Sequence, residues 1–475
     1  MKIKSFIEKT FNKKSLIHMT ICCLWRDDVN HHFVKNICWG LAIAILLQFS
    51  HYTGFGQSMI NRAHDVLVVK DFRNEVLDRD DENSISNDIR MIVFDQKIYE
   101  NNRYPGGKYW TPRELLGNTL IKSIDMGATV IVMDFKLEKP VPLTCSNGKC
   151  VDENFLYLDL LQKAADVAKE KKCVIIMPKI SPDDSAKEYT KAYQQLIEKN
   201  NDVIICGNPL VYQNSQDAIV RHFNFFQTDE TLDPVFSVPV LAVVYHWFGK
   251  KKGDEFIQKA KTEIKERKTI SPINSPKNNA KQIQFYHQDL QKECMAARFK
   301  FRILPKNVIH DQFGGGRILT DIIIPPTIIL HPNFDPKHIE NKIVVIGADY
   351  PDFGDIHQTP VGKIAGVYLI ANTMNVLLMS NQVKEMHFVI EYFILLLWIV
   401  IASWLYTHLN QILSLIILIV LVVFISTPVS VIVFSKWGIF MDFWLPLTIM
   451  GIREQIESTI DSLQSIYFTK KEIKK

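Results

Sequence analysis

Residues 342–378 read KIVVIGADYPDFGDIHQTPVGKIAGVYLIANTMNVLL, and this stretch decides the fold. Residues 342–347 form a β-branched apolar run that ends in glycine, too short for a helix and therefore read as a buried strand. The loop after it is acidic, with Asp349, Asp352, Asp355 and His357 inside nine positions. Thr359-Pro360 closes the turn, and a helix is expected over roughly 364–379. The chain then turns continuously apolar, so a folded domain is expected to feed directly into a bilayer.

Upstream, short apolar runs alternate with helical patterns. Residues 89–94 read as a strand ending at Asp95. Thr111-Pro112-Arg113-Glu114 reads as a helix start, with Thr111 as cap, Pro112 at the first helical position and Glu114 completing a capping box; that helix ends at Gly127. The next strand is expected over 129–135, and two strands joined through a helix lie parallel. A helix over 155–171, a strand over 173–177, a helix over 186–198 and a strand over 203–206 continue the alternation, which predicts an open, mostly parallel α/β sheet with helices on its faces. Residues 248–282, rich in Lys, Asn, Ser and Pro, read as a surface excursion carrying one charged helix at about 254–268. Strands resume near 299–304 and 322–330.

The 475 residues carry a formal charge of +4, which gives no basic surface of the kind nucleic acid requires. The apolar residues are concentrated instead. Residues 388–406 and 412–434 are each long enough to cross a hydrocarbon core of about 30 Å. Residues 437–452 contain Asp442 and Pro446 and are expected to return through the bilayer short or tilted. Residues 33–55, apolar through 37–49, form a first span, because the stretch before them is too long for a cleaved signal peptide.

Lys2, Lys4, Lys9, Lys13, Lys14, Arg26 and Lys35 precede the first span, and Arg453, Lys470, Lys471, Lys474 and Lys475 follow the last. Basic residues stay on the cytoplasmic side, so both termini are expected there, with four spans between them. The expected partition is a cytoplasmic basic tail (1–32), a span (33–55), an extracytoplasmic domain (56–387), three spans (388–406, 412–434, 437–452) and a cytoplasmic tail helix (453–475). Within that tail Ile456, Ile460, Leu463 and Tyr467 repeat at the spacing of a coiled-coil seam, which predicts a homodimer or a docked effector helix; an amphipathic helix on the membrane surface is the alternative.

Cysteine usage divides by compartment. Cys22-Cys23 reads as either free thiols or an acylation site. Cys145 and Cys150, separated by Ser-Asn-Gly-Lys, are expected to pair in an oxidising compartment, leaving Cys173, Cys206 and Cys294 as buried thiols. Glu391 and Asp442 lie inside apolar runs, either at the membrane interface or packed among helices.

The stretch GADYPDFGDIHQTPVGKIAGVYLIAN (347–372) resembles the closing segment of CHASE2 domains, the extracytoplasmic sensory modules of bacterial membrane signalling proteins. AHDVLVVKDF (63–72), VFDQKIY (93–99), YWTPRELLGNTLIKSIDMGATVIVMDF (109–135), IVRHF (219–223) and PVFSVPVLAVV (234–244) are similar to earlier segments of that family, in the same order. The resemblance implies a sensor placed ahead of a cytoplasmic kinase, cyclase or diguanylate cyclase. Only 23 residues follow Ile452, so the expectation is a bacterial inner-membrane sensor acting on a separately encoded effector. The alternative is a structural or assembly protein whose exterior domain binds another envelope component.

Asp95 and Asp134 end strands of one unit, where open parallel sheets place their ligand crevice; they read as ligand contacts or as loop caps. Asp349, Asp352, Asp355 and His357 offer oxygen and imidazole donors for a cation, but their spacing fits neither an EF-hand loop nor an HExxH helix, and solvated turn residues are the plainer reading. Gly314-Gly315-Gly316-Arg317 lacks the GK[ST] ending of a phosphate loop and reads as a turn. No GxSxG, kinase, zinc or catalytic Cys/His pattern occurs. The ligand-contact candidates are therefore Asp95, Asp134, Asp355 and His357, in a protein expected to be neither an enzyme nor a cofactor carrier.

Overall fold

The structure, a computed structural model, describes residues 33–34, 36–38, 40–42, 54–73, 85–101, 111–135, 137, 140–141, 144–146, 149–179, 188–209, 211–213, 217–228, 233–266, 270–276, 281–285, 294–298, 300–305, 322–350, 355–380 and 382–440. The basic N-terminal tail with Cys22-Cys23, Asp352, the Gly314–Arg317 turn, most of the apolar run 437–452 with Asp442, the heptad-patterned tail and the side chain of Cys294 lie outside them. The chain divides into two compact units, Val68–Val383 and Met1–Leu67 with Lys384–Lys475.

A helix, α1 (Gly54–Phe72), leads into the Val68–Val383 unit. Strand β1 (Ile89–Asp95) is followed by α2 (Arg113–Asp125) and β2 (Val130–Asp134). A small hairpin, β3 (Thr144–Ser146) with β4 (Lys149–Val151), precedes α3 (Glu153–Lys171), β5 (Val174–Pro178), α4 (Glu188–Lys199) and β6 (Ile204–Gly207). Next come β7 (Val211–Gln213), β8 (Val220–Thr228), β9 (Pro234–Phe236) and the long helix α5 (Val238–Lys265). Strand β10 (Cys294–Arg298), strand β11 (Ile323–Ile324), α6 (Pro326–Ile329), β12 (Ile343–Asp349), a hairpin of β13 (Ile356–Thr359) and β14 (Gly362–Ala365), and α7 (Gly366–Leu378) complete the unit.

Six strands form one sheet in the order β11-β1-β12-β2-β5-β6, and every pairing is parallel. The central strand, β12, is the apolar run that opens the decisive stretch, seated between β1 and β2 with Val345 level with Met91 and Val132. A strand covered on both faces needs apolar side chains at consecutive positions, which IVVIGA supplies. Ile343, Val344, Val345 and Ile346 are all fully buried, and each contributes roughly 1.5–3 kcal/mol of hydrophobic stabilisation.

The alternation along the strands separates two layers. Val344, Ile346 and Ala348 share a core with Ile92, Phe94, Ile131, Met133, Ile175 and Met177 and with the inner faces of α2, α3 and α4. The opposite face is covered by α5 and α7: Gly207 lies against Val238 and Leu241 of α5, and Gly347 against Val367 of α7. Helix α3 packs tightly on α2 because Gly117 faces Leu160 and leaves no room for a Cβ.

Several expectations need correction. The strand expected near 299–304 is displaced to β10 (Cys294–Arg298), and residues 300–304 carry no strand. Pro112, not Thr111, is the cap of α2, and no side chain caps it; the Thr111 hydroxyl lies 3.2 Å from the Tyr350 hydroxyl instead. The charged helix expected at about 254–268 is present as the second arm of α5, after a non-helical break at Gly249 (φ 69°); the apolar arm before the break, from Val238, was not among the expected elements. The change from apolar to lysine-rich sequence marks where that helix leaves the sheet. Residues 322–330 give only a two-residue strand, since Pro325 and Pro326 cannot donate to a ladder and Pro326 opens α6. A second, antiparallel sheet of order β10-β8-β7, with β9 on β8, has no counterpart in the expected pattern. Among the thiols, Cys173 is buried as expected whereas Cys206 is half-buried.

In the other unit the described residues between 33 and 42 are helical. Helix α8 (Phe388–His408) is followed by α9 (Gln411–Leu421), a π-helical turn (Val422–Ser426), α10 (Thr427–Trp437) and a short β16 (Ile439–Phe440) that pairs in parallel with β15 (Lys384–Glu385). Pro428 explains the π-turn, because a proline in a helix lacks the donor and crowds the preceding turn. Among the described residues, two segments, Val389–His408 and Ile412–Trp437, are long and apolar enough to cross a membrane. Their outer faces expose Phe393, Leu397, Ile416, Phe424 and Ile432, a band suited to lipid. Gly40 lies against Ile399 so closely that a Cβ would clash, and Asn36 donates to Thr407 at 3.4 Å, so the first apolar segment packs on α8 through a small residue and a polar contact. Glu391 sits in the first turn of α8, half-buried.

In the β3–β4 hairpin Cys145 stands directly opposite Cys150. Two residues separate the strand ends, so Ser146 and Lys149 flank the turn and the cysteines occupy the next, closer-spaced pair, with Cα atoms about 4.5 Å apart, within the reach of a disulfide. Peptide mass spectrometry without reduction is expected to recover 145 and 150 as one linked species. Cys145→Ser should then cost about 2 kcal/mol in denaturant unfolding; recovery of both thiols free would rule the bond out.

Candidate functional site

The helices that follow neighbouring strands decide where a parallel sheet opens. β1 and β2 are followed by helices on the face of the α2–α3–α4 core, while β12, between them, is followed by α7 on the opposite face. The carboxyl ends of β1, β12 and β2 are therefore a topological switch point, the position where such sheets form their crevice.

Three aspartates end these strands. Asp95 is level with Asp349 across the β1–β12 pairing, and Asp134 is level with Gly347 across β12–β2. Asp95 is exposed and its carboxylate accepts the Ile98 N–H at 2.9 Å, so it also starts the helical turn that follows. Asp134 is buried. Asp349 is half-buried and accepts a 3.0 Å hydrogen bond from the Tyr368 hydroxyl.

The first turn of α7 assembles the site. Gly366 lies against the Asp355 carboxylate, with its N–H donating to the Asp355 carbonyl at 2.9 Å; any Cβ at 366 would occupy the space of that carboxylate. Val367 packs on Gly347, again leaving no room for a Cβ, and Tyr368 reaches Asp349. Three successive residues thus hold the hairpin, the central strand and its terminal aspartate. Asp355 also pairs with His357 Nε2 at 2.8 Å, so its negative charge lies between an imidazole and the partially positive start of a helix.

Of the four ligand-contact candidates, Asp95 and Asp134 therefore stand at the crevice, and Asp355 and His357 form a pair at the start of α7. Asp349 belongs with the first two, as the register shows. Tyr368, Gly347 and Gly366 were not singled out from sequence. A glycine ending an apolar strand and a second glycine opening the helix after it were the available signals, because helix and strand cannot approach this closely with larger residues.

Burial raises the Asp349 carboxyl above its ordinary value and the neighbouring Asp95 charge adds to this, while the Tyr368 hydrogen bond works in the opposite direction. Tyr368 is itself pushed well up by burial and by the Asp349 charge, so it stays a hydrogen-bond donor. The arrangement can accept hydrogen bonds and bind or release a proton. Among the described residues, no group of three His, Cys, Asp or Glu is placed to hold a metal ion.

At the opposite, amino ends of the strands, His246 Nδ1 lies 2.7 Å from the Thr129 hydroxyl and Nε2 lies 4.0 Å from Asp88. The order Thr, His, Asp suggests a nucleophile with its base. The Thr129 hydroxyl, however, donates to the Lys342 carbonyl at 3.0 Å, so toward His246 it acts as the acceptor and its proton is directed away from the imidazole. These residues tie α5 to the start of β2.

The described domain is an α/β fold whose parallel strands end at a switch point. The CHASE2 domain family matches residues 39–409, most of the chain. The protein belongs to the CHASE2 family, whose domains are extracytoplasmic sensor modules. No curated protein and no solved structure matched in the same comparisons.

The raised Asp349 carboxyl fixes a sign for stability against pH. The folded state holds this proton more tightly than the unfolded chain, so the contribution is present below the ordinary carboxyl value of 3.8 and is lost as pH rises through the raised one. Asp349→Asn removes that loss. Melting curves across the acid range should show the variant gaining on the wild type as pH rises; a constant offset between the two would mean that Asp349 does not titrate differently on folding.

Proposed function

We propose that the protein is a bacterial inner-membrane sensor that binds an extracytoplasmic ligand in the crevice at the ends of β1, β12 and β2 and passes the change to its membrane helices. One observation carries the reading: the first turn of α7 touches the crevice at Gly366, Val367 and Tyr368, and the same stretch of chain runs on into α8. Binding is the role assigned here, since among the described residues the strand ends present carboxylate acceptors and a tyrosine donor. In this reading both termini are cytoplasmic, four spans hold the domain outside, and the 453–475 tail either pairs two copies of the protein or docks an effector helix.

The test is a thermal-shift panel of small cationic, polyol and amino compounds on the full-length protein in nanodiscs. A ligand at one hundred times its dissociation constant adds about 2.7 kcal/mol of stability. That shift should disappear in Asp134→Asn, which keeps the shape of the side chain and removes its charge. A shift of full size in the variant would move the ligand away from the crevice.

Topology is checked by labelling single cysteines placed at Lys250 and at Lys470 in intact cells. An impermeant reagent is expected to modify the first and spare the second; modification at 470 from outside would overturn the four-span arrangement.

A further inference from the structure

Helix α7 is wholly buried, yet it carries Asn372, Thr373 and Asn375. Thr373 bonds within its own helix, to the Leu369 carbonyl at 2.8 Å. The two asparagines do not stay local.

Asn372 Oδ1 accepts the backbone N–H of Arg302 at 2.6 Å and of Ile303 at 3.0 Å, and its Nδ2 donates to the carbonyls of Ile303 at 2.6 Å and of Tyr368 at 2.8 Å. One side chain therefore fixes the 302–303 backbone in a single register on the helix. The Arg302 side chain then reaches on, donating from Nη1 to Asp71 at 2.7 Å, with both side chains nearly excluded from solvent. Asp71 is in the last turn of α1, a continuous helix that begins at Gly54. Asn375 adds a second tie, accepting the Ser86 N–H at 2.8 Å just ahead of β1.

Connected end to end, these bonds run from the crevice to the lead-in helix: Asp349, Tyr368, Asn372, Arg302, Asp71. We propose that this buried chain is the route by which a change at the crevice reaches α1. The inference rests on the sensor reading above and adds to it the path inside the domain.

The physical case is one of specificity. A buried ion pair replaced by apolar residues of similar volume often leaves stability unchanged or improved, because the desolvation of two charges offsets their attraction. Asp71 and Arg302 therefore make a poor device for stability alone. They make a good one for fixing a single arrangement, since a bond between two charges excluded from water is either made or broken. Each link is also directional: loss of the Tyr368 bond to Asp349 loosens the turn whose carbonyl holds Asn372, and Asn372 positions the backbone that aims Arg302. Coupling between distant sites needs such a contiguous network with discrete states, and it is established only by measured coupling.

Hydrogen–deuterium exchange of backbone amides 68–72, in the full-length protein in nanodiscs, supplies that measurement without any ligand. Tyr368→Phe and Asp349→Leu, each of which removes the Tyr368–Asp349 hydrogen bond, should each speed exchange there by about tenfold. Tyr350→Phe removes an equally buried hydroxyl contact, to Thr111, that lies off the chain, and should leave these amides unchanged. In the paired background Asp71→Leu with Arg302→Met the effect of Tyr368→Phe should vanish; should that background not fold, Arg302→Lys, which keeps the charge and loses the planar fork, should remove most of it. Equal acceleration by Tyr350→Phe, or an undiminished Tyr368→Phe effect once the ion pair is cut, would overturn the route. Because no ligand enters, a negative thermal-shift panel leaves this outcome readable, and a ligand shift without coupling would retain the sensor and discard the path.

Discussion

The constraint on which the rest depends is the burial of β12 between β1 and β2. A parallel strand in the middle of a sheet is covered on both faces, so helices must pack on each: those after β1 and β2 take one face, and α7 together with α5 takes the other. That requirement creates the switch point, brings Asp95, Asp349 and Asp134 into line, and puts α7 against the central strand. Gly347 and Gly366 follow from the same packing, because the start of α7 approaches the strand and the Asp355 carboxylate too closely for any Cβ.

Apolar helices serve two purposes in this chain, and length together with surroundings tells them apart. α7 spans only Gly366–Leu378 and is buried in protein, where its asparagines are held by backbone groups of other segments. α8 is longer and exposes Val389, Ile390, Phe393 and Leu397. Polar groups near it are held by helix carbonyls: Ser414 of α9 donates to the Leu405 carbonyl of α8 at 3.0 Å, and Ser430 to the Ser426 carbonyl one turn back at 2.7 Å. Such internal pairing is compatible with a hydrocarbon surrounding, which would offer these groups no partner.

What the sequence made legible was local. Strand and helix periods placed β1, α2, β2, α3, β5, α4, β6, β12 and α7 within a few residues, because each period reports which faces of one segment are buried. Asp95 and Asp134 were located for the same reason, as the ends of strands. The insertion of β12 between β1 and β2 was not legible, since which strands become neighbours depends on contacts between distant segments and leaves no trace in spacing. The Tyr368 bond to Asp349 and the Asp71 bond to Arg302 fall in that class. Thr111 shows the converse: a sound local capping signal gave way to a tertiary partner, Tyr350. The start of α5 was missed because its inner arm, VPVLAVVY, is buried throughout and carries no amphipathic period.

The position of β12 also sets an order of assembly. β1 and β2 are synthesised long before residues 343–349, yet neither can take its final neighbour until that strand arrives. In the interval both present open parallel edges to the same gap, and long-range parallel pairings are the slowest contacts a chain makes. Sheet closure is therefore a late event that waits on the segment adjoining α8, the first helix after the domain. A chain interrupted anywhere before residue 343 is left with two facing interior edges and no strand to fill them, which is the exposed template from which strand-on-strand aggregation starts.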